Sequence, residues 1–132
     1  MYQYRIKKIE KVIDGDTFVC VVDLGFNIGL TQTVRLVGIN APEIHTLNED
    51  VKKFGLRAKQ KLQEYLSRGT EIIIETQKPD STEKYGRILG EVYVVGEPIT
   101  ADEYMLANKY AWNYDGKGVK NLNLSELAPL DV

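Results

Sequence analysis

The first forty residues constrain the fold most. They form a long alternating β pattern, interrupted by two tight connections and ended by a proline. Tyr2, Tyr4 and Ile6 alternate with polar residues, the period of a strand with one buried face. The phase changes at Lys7-Lys8, which predicts a bulge, and the pattern resumes over Ile9–Ile13. Asp14-Gly15-Asp16 predicts a turn, Gly15 supplying backbone freedom. Thr17 to Leu24 is a β-branched and aromatic strand. Gly25 to Leu30, with two glycines, connects it to a third strand from Gln32 through Ile39. Pro42 cannot donate to a ladder and ends it.

A helix comes next. Asn48 or Asp50 can cap it, Gly69 stops it, and Val51, Phe54, Ala58, Leu62, Tyr65 and Leu66 make an apolar stripe at helical spacing. Lys52, Lys53, Arg57, Lys59 and Lys61 lie off that stripe and read as a solvated face. Thr70–Thr76 is a fourth strand, Gln77–Lys84 a polar loop and Ile88–Val95 a fifth strand. Thr100-Ala101-Asp102-Glu103 is a capping box that opens a short helix to about Lys109. From Asp115 onward glycines and asparagines predominate, with a helical turn at Ser125–Leu127, and this is the least structured part of the reading. The order predicts an α+β fold dominated by β: a five-stranded OB-type barrel with two or three helices. It reads as one domain over 1–132, with a core of about 2–114 and a short tail over 115–132. Barrels of this type hold nucleic acids or oligosaccharides, but fold alone licenses no function.

Bulk properties narrow the field. No apolar run among the 132 residues approaches a membrane span, so no membrane role is expected. No apolar stretch follows Met1 to mark a signal peptide, so a cytoplasmic or otherwise intracellular setting is expected; compactness suggests a phage or mobile-element product. Cys20 is the only cysteine and lies in an apolar run, a buried small hydrophobe. His45 is the only histidine, which argues against a multi-histidine metal site, and it reads as a solvated loop residue. The net charge of −2 argues against tight nonspecific duplex binding driven by counterion release. It still leaves room for a local cationic pocket.

The chemistry-bearing residues are carboxylates and guanidinium groups on short turns. If the strands after Asp16 and before Asn40 pair antiparallel, Asp16 and Asn40-Ala41 face one small volume, with Glu43 just beyond. Mixed carboxylate, amide and carbonyl oxygens suit Ca²⁺. Asp-Gly-Asp is equally an ordinary turn. Arg35 lies within an apolar strand, where an unpaired guanidinium is costly. It either pairs with a carboxylate or points into a ligand pocket. Arg87 follows Tyr85-Gly86 at a strand start, a position suited to ligand contact, and guanidinium forks match phosphate oxygens. Carboxylates that hold a hard cation and activate water, beside arginines that grip phosphate, are what phosphodiester hydrolysis requires.

Three strings carry a resemblance: Val12-Ile13-Asp14-Gly15-Asp16-Thr17, then Arg35-Leu36-Val37-Gly38-Ile39-Asn40-Ala41-Pro42-Glu43, then Thr82-Glu83-Lys84-Tyr85-Gly86-Arg87. In this order and on these elements they resemble the staphylococcal nuclease-like (thermonuclease) family, over about Val12 to Tyr114. The resemblance implies that Asp16, the position of Asn40 and the Ala41 carbonyl bind Ca²⁺; the sequence itself offers Asp14, one turn position away, as a supporting carboxylate. It implies Glu43 as general base and Arg35 and Arg87 on the scissile phosphate. Lys84 and Tyr85 would contact nucleotide phosphates, and Trp112 and Tyr114 the base and sugar. The expected activity is a Ca²⁺-dependent nuclease acting on DNA, RNA or both, with single strands preferred and 3′-phosphate products.

Two departures bear on this. Asn40 stands where the family has an aspartate, which removes one formal charge from the metal site. The chain beyond Tyr114 is short where the family continues into a long helix. Both favour the alternative, an OB-type module that holds nucleic acid or protein without cutting it. Glu43, Arg35 and Arg87 together favour the enzyme.

Overall fold

A computed structural model describes residues 2–76 and 86–130. The strands are β1 (Tyr2–Asp14), β2 (Thr17–Asp23), β3 (Gly29–Leu36), β4 (Ile39–Asn40), β5 (Ile72–Thr76), β6 (Ile88–Val94) and β7 (Trp112–Asn113). The helices are α1 (Glu49–Leu66) and α2 (Ala101–Ala107), with a 3₁₀ turn at Leu124–Glu126. Strands β1, β2, β3, β6 and β5 close into a barrel in that order. All neighbours are antiparallel except β3 and β6. The predicted barrel of OB type is thus the observed one.

β1 is long enough to serve two neighbours. Tyr2–Ile6 pairs with β5, and Ile6–Asp14 pairs with β2. The phase change read at Lys7-Lys8 is a register shift between Ile6 and Lys8, and two more follow before Asp14. Such bulges bend a strand so that it can close a small barrel. The third strand departs from its sequence reading. It starts at Gly29 and leaves the barrel after Leu36, turning at Val37-Gly38, where Gly38 adopts φ +82°. Ile39-Asn40 then pairs with Trp112-Asn113 in a separate two-stranded ladder. Periodicity runs through such a corner without marking it, because both halves are apolar.

The barrel interior holds Phe18, Cys20, Val34, Leu36, Ile74 and Val92, all nearly solvent-free. Burial pushes the Cys20 thiol up to about 12, consistent with an inert packing role. Helix α1 begins where Asn48 Oδ1 accepts the Asp50 and Val51 amides, and it buries Gly55, Ala58, Leu62, Tyr65 and Leu66. Thr100 Oγ1 accepts the Glu103 amide and starts α2. Among the described residues no helix is long and apolar enough to cross a membrane.

The tail is tied down more firmly than its composition suggests. Trp112 Nε1 donates to the Asn123 carbonyl at 2.8 Å, Ala128 N to Lys109 O at 2.9 Å, and Arg57 Nη1 to Pro129 O at 2.9 Å. Arg57, read as solvated, is instead half-buried, and its guanidinium lies over the Phe54 and Tyr110 rings. A long aliphatic stem with a planar cation can cover apolar surface in this way.

Candidate active site

The site forms at one end of the barrel, where the start of β2 meets the end of β3. Thr17 pairs directly with Arg35, and the Leu36 amide donates to the Asp16 carbonyl at 2.8 Å. The antiparallel approach expected from the sequence is therefore present, and it brings three of its segments together. Helix α1 closes over them. A Cβ on Gly15 would come 2.5 Å from Ala58 Cβ and 2.9 Å from Ala41 Cβ, and one on Gly55 would come 2.5 Å from the Glu43 carbonyl oxygen. Both the Asp-Gly-Asp turn and the Glu43 backbone thus rest directly on the helix.

Asp16 is the buried centre, at 5% exposure. Its Oδ1 accepts the Thr17 hydroxyl at 2.8 Å, and its Oδ2 accepts the Ala41 amide at 2.8 Å. Arg35 Nη1 lies 3.4 Å from the same Oδ2 and donates to the Leu36 carbonyl at 3.0 Å. Asp14 Oδ1 accepts the Asp16 amide at 3.1 Å. Burial, then the hydrogen bond and charge of Asp16, push the Asp14 carboxyl up to about 7. Burial also acts against ionised Asp16. The Asp14 hydrogen bond, Arg35, the Ala41 amide and the Thr17 hydroxyl outweigh it and hold Asp16 below its ordinary value. Two carboxyls this close push their titrations apart, Asp14 upward and Asp16 downward.

Two cavities flank this centre. The smaller, about 230 Å³, is lined by Ile13, Asp14, Glu43, Ile44 and His45. Glu43 and His45 are exposed there. The larger, about 350 Å³, includes Arg35, Arg87, Leu89, Tyr114, Asp115 and Lys120 in its wall. Tyr114 is fixed by its amide, which donates to the Gly38 carbonyl at 2.9 Å. Arg35 thus satisfies both readings at once, pairing with Asp16 and lining a pocket. Trp112 is 4% exposed with its ring N–H spent on Asn123, and its place is in the packing. Lys84 and Tyr85 lie outside the described residues. Asp115 and Lys120 escaped sequence reasoning because the segment that carries them offered no periodicity.

The donors that the proposed site offers a cation, Asp14, Asp16, Asn40 and the Ala41 carbonyl, are oxygens, with His45 in the wall of the neighbouring cavity. Asp14 and Asp16 face one another, and Asn40, 6% exposed, pairs through its backbone with Trp112 beside Ala41. Among the described residues no group of three or more histidine, cysteine, aspartate or glutamate side chains is placed to hold an ion. The set therefore fits a hard divalent cation in the kind of atoms it offers, with fewer charged ligands than such ions usually take.

Comparison with known proteins agrees with this architecture. The family model described as "Staphylococcal nuclease homologue" matches residues 33–128. The endonuclease YncB of Bacillus subtilis (strain 168) is 32% identical over 91 residues, covering 69% of this chain and 40% of that protein. The SPbeta prophage-derived endonuclease YokF of the same organism is 33% identical over 91 residues, covering 69% and 29%. The thermonuclease of Staphylococcus hyicus is 28% identical over 111 residues, covering 81% and 62%. The chain thus spans less than two thirds of the length of each of these relatives. With the matched region running from inside β3 through the tail, and the barrel and its carboxylate–guanidinium corner in place, the chain belongs to the staphylococcal nuclease homologue family.

Proposed function

We propose that this chain hydrolyses phosphodiester bonds of DNA or RNA, with Ca²⁺ as its cation and 3′-phosphorylated products. The observation that carries the reading is the position of the Asp16–Arg35 pair. It stands between a carboxylate cavity holding Asp14 and Glu43 and a cationic cavity holding Arg35, Arg87 and Tyr114. A phosphodiester bound across this corner presents its oxygens to the guanidinium groups and its phosphorus to the carboxylate side.

In this reading Glu43 is the general base. It is exposed in a cavity open to water and can take a proton from a water molecule there. Arg35 and Arg87 hold the phosphate oxygens, and their fixed charge stabilises the additional negative charge of the transition state. Removing one such donor costs on the order of 10²–10³ in rate. Arg35 is preorganised, because Asp16 and the Leu36 carbonyl restrain it. Tyr114 offers a ring on which a base can stack, worth about 1–3 kcal/mol for any base. Asp16, Asn40 and the Ala41 carbonyl, supported by Asp14, would hold the Ca²⁺. When bound it would neutralise phosphate charge and orient water.

A second reading, a module that binds without cutting, is favoured by Asn40 and by the short tail. One experiment separates them: incubate a labelled single strand with the chain in Ca²⁺, in EDTA, and with Glu43→Gln in Ca²⁺. Cleavage confined to the first condition supports the enzyme. Binding without cleavage in all three establishes the module instead.

A further inference from the structure

The larger cavity has a wall that the three sequence strings do not supply. Asp115, Gly116 and Lys120 close it from the chain beyond Tyr114. This wall is built into the fold. Tyr114 is bonded to Gly38 on one side, and on the other Asn123 receives the Trp112 ring N–H and caps the turn that follows. Lys120 lies between these two anchors, with Nζ 5.7 Å from the Tyr114 ring centroid.

Its electrostatics favour an anion. Arg35, Arg87 and Lys120 line the cavity, Arg35 already paired with Asp16, and Asp115 brings one negative charge. Asp115 Oδ1 is turned to the Lys117 amide at 2.8 Å, and no carboxylate among the described residues pairs with Lys120. A cavity of about 350 Å³ is of the size that takes one small ligand such as a nucleotide. The Lys120 ammonium lies over the Tyr114 ring, so a nucleotide whose base meets the remaining surface of that ring would bring an adjoining phosphate within reach of it.

We propose that Lys120 is a substrate-binding residue that holds a phosphate flanking the nucleotide on Tyr114. The proposal rests on the nuclease reading and adds a phosphate contact to it. It makes the substrate a strand extending beyond the bond that is cut, and it gives the short tail a part in recognition.

The test uses the full chain with Glu43→Gln, so that a fluorescent single-stranded oligodeoxynucleotide is bound but not consumed. Anisotropy titrations are run from about 50 to 200 mM salt. Adding Lys120→Ala should weaken binding about fivefold and flatten the slope of log K against log salt by about 0.7, the signature of one phosphate contact on a single strand. Lys120→Arg should restore both, and Lys120→Met, which keeps the apolar stem over Tyr114, should not. Unchanged affinity and slope in Lys120→Ala, with binding weakened by Arg87→Ala, would overturn the proposal and leave Lys120 as packing for Tyr114. If the Glu43→Gln chain binds no strand and the unmodified chain cuts none, the nuclease reading fails and the role of Lys120 fails with it.

Discussion

Arg35 Nη1 and Asp16 Oδ2 lie 3.4 Å apart, and their side chains are only 9% and 8% exposed. The pair is therefore mostly desolvated, so removing either member alone leaves the other as a buried charge. Arg35→Gln is expected to cost about 3–5 kcal/mol in urea unfolding. Asp16→Asn combined with it should cost less than the sum of the two changes, by about 1–3 kcal/mol. Additivity to within about 0.5 kcal/mol would show that the two groups do not depend on one another. In the proposed reading the same restraint serves function, because a guanidinium already held in place needs no reorganisation when phosphate arrives.

In the proposed reading Asn40 is a ligand of the cation, and its charge can be tested. If its side chain faces Asp14 and Asp16 as proposed, replacing the amide by a carboxylate adds a third negative group to that site. Asn40→Asp should therefore bind Ca²⁺ severalfold more tightly in a calorimetric titration. In EDTA the same variant should melt lower than the parent, because like charges then face one another uncompensated. Tighter Ca²⁺ binding with an unchanged melt in EDTA would place the new carboxylate away from the aspartate pair. An unchanged titration would remove Asn40 from the cation site altogether.

Asp102 gives a pH dependence remote from the catalytic corner. Its Oδ1 accepts the Val92 amide at 3.0 Å, and its Oδ2 is buried without a hydrogen-bond partner. Burial, with a smaller contribution from Glu91, raises its carboxyl from 3.8 to about 7, against the pull of backbone amides including that of Val37. The folded chain then holds the proton more tightly than the unfolded chain. The stability it contributes is full below about pH 4 and is lost as pH rises through about 7. From pH 5 to pH 8 this component should cost on the order of 1–3 kcal/mol. Asp102→Asn keeps an acceptor for Val92 and carries no charge, so its stability should fall less over that interval. Asp14 titrates in the same window, so the quantity to measure is the difference between parent and variant. Equal losses in both would show that Asp102 is ionised throughout.

The sequence foretold most of the barrel because its strands carry their own signals. β1 and β2 alternate, and Asn48 and Thr100 announce the two helices. Asp16 and Ala41 were legible as neighbours for the same reason, since a turn and the strand pairing fix their approach, whereas the carboxylate partner of Arg35 was left unnamed. The corner at Gly38 was not, because the pairing of Ile39-Asn40 with Trp112-Asn113 is a contact between residues more than seventy positions apart. The tail was not legible either. Its order comes from single bonds to Lys109, Trp112 and Arg57, none of which leaves a periodic mark. Asp102 lay inside the Thr100–Glu103 capping box with no role of its own, and only the packed structure shows its carboxyl buried against β6.

Gly55 links helix packing to the proposed base. A Cβ there would meet the Glu43 carbonyl oxygen at 2.5 Å and the Pro42 carbonyl oxygen at 2.9 Å. These are backbone atoms and cannot rotate aside. Gly55→Ala should gain up to about 1 kcal/mol in helix propensity yet lose about 1–3 kcal/mol to the clash, a net loss in urea unfolding. The displaced segment carries Glu43, whereas Arg35 and Arg87 sit on β3 and beside β6. The variant should therefore lose turnover while keeping most of its affinity for a single strand. In a Glu43→Gln chain, adding Gly55→Ala should lower the residual rate little further, because the group it displaces is already disabled. A stabilised Gly55→Ala chain with full activity would show that the helix does not seat the Glu43 backbone.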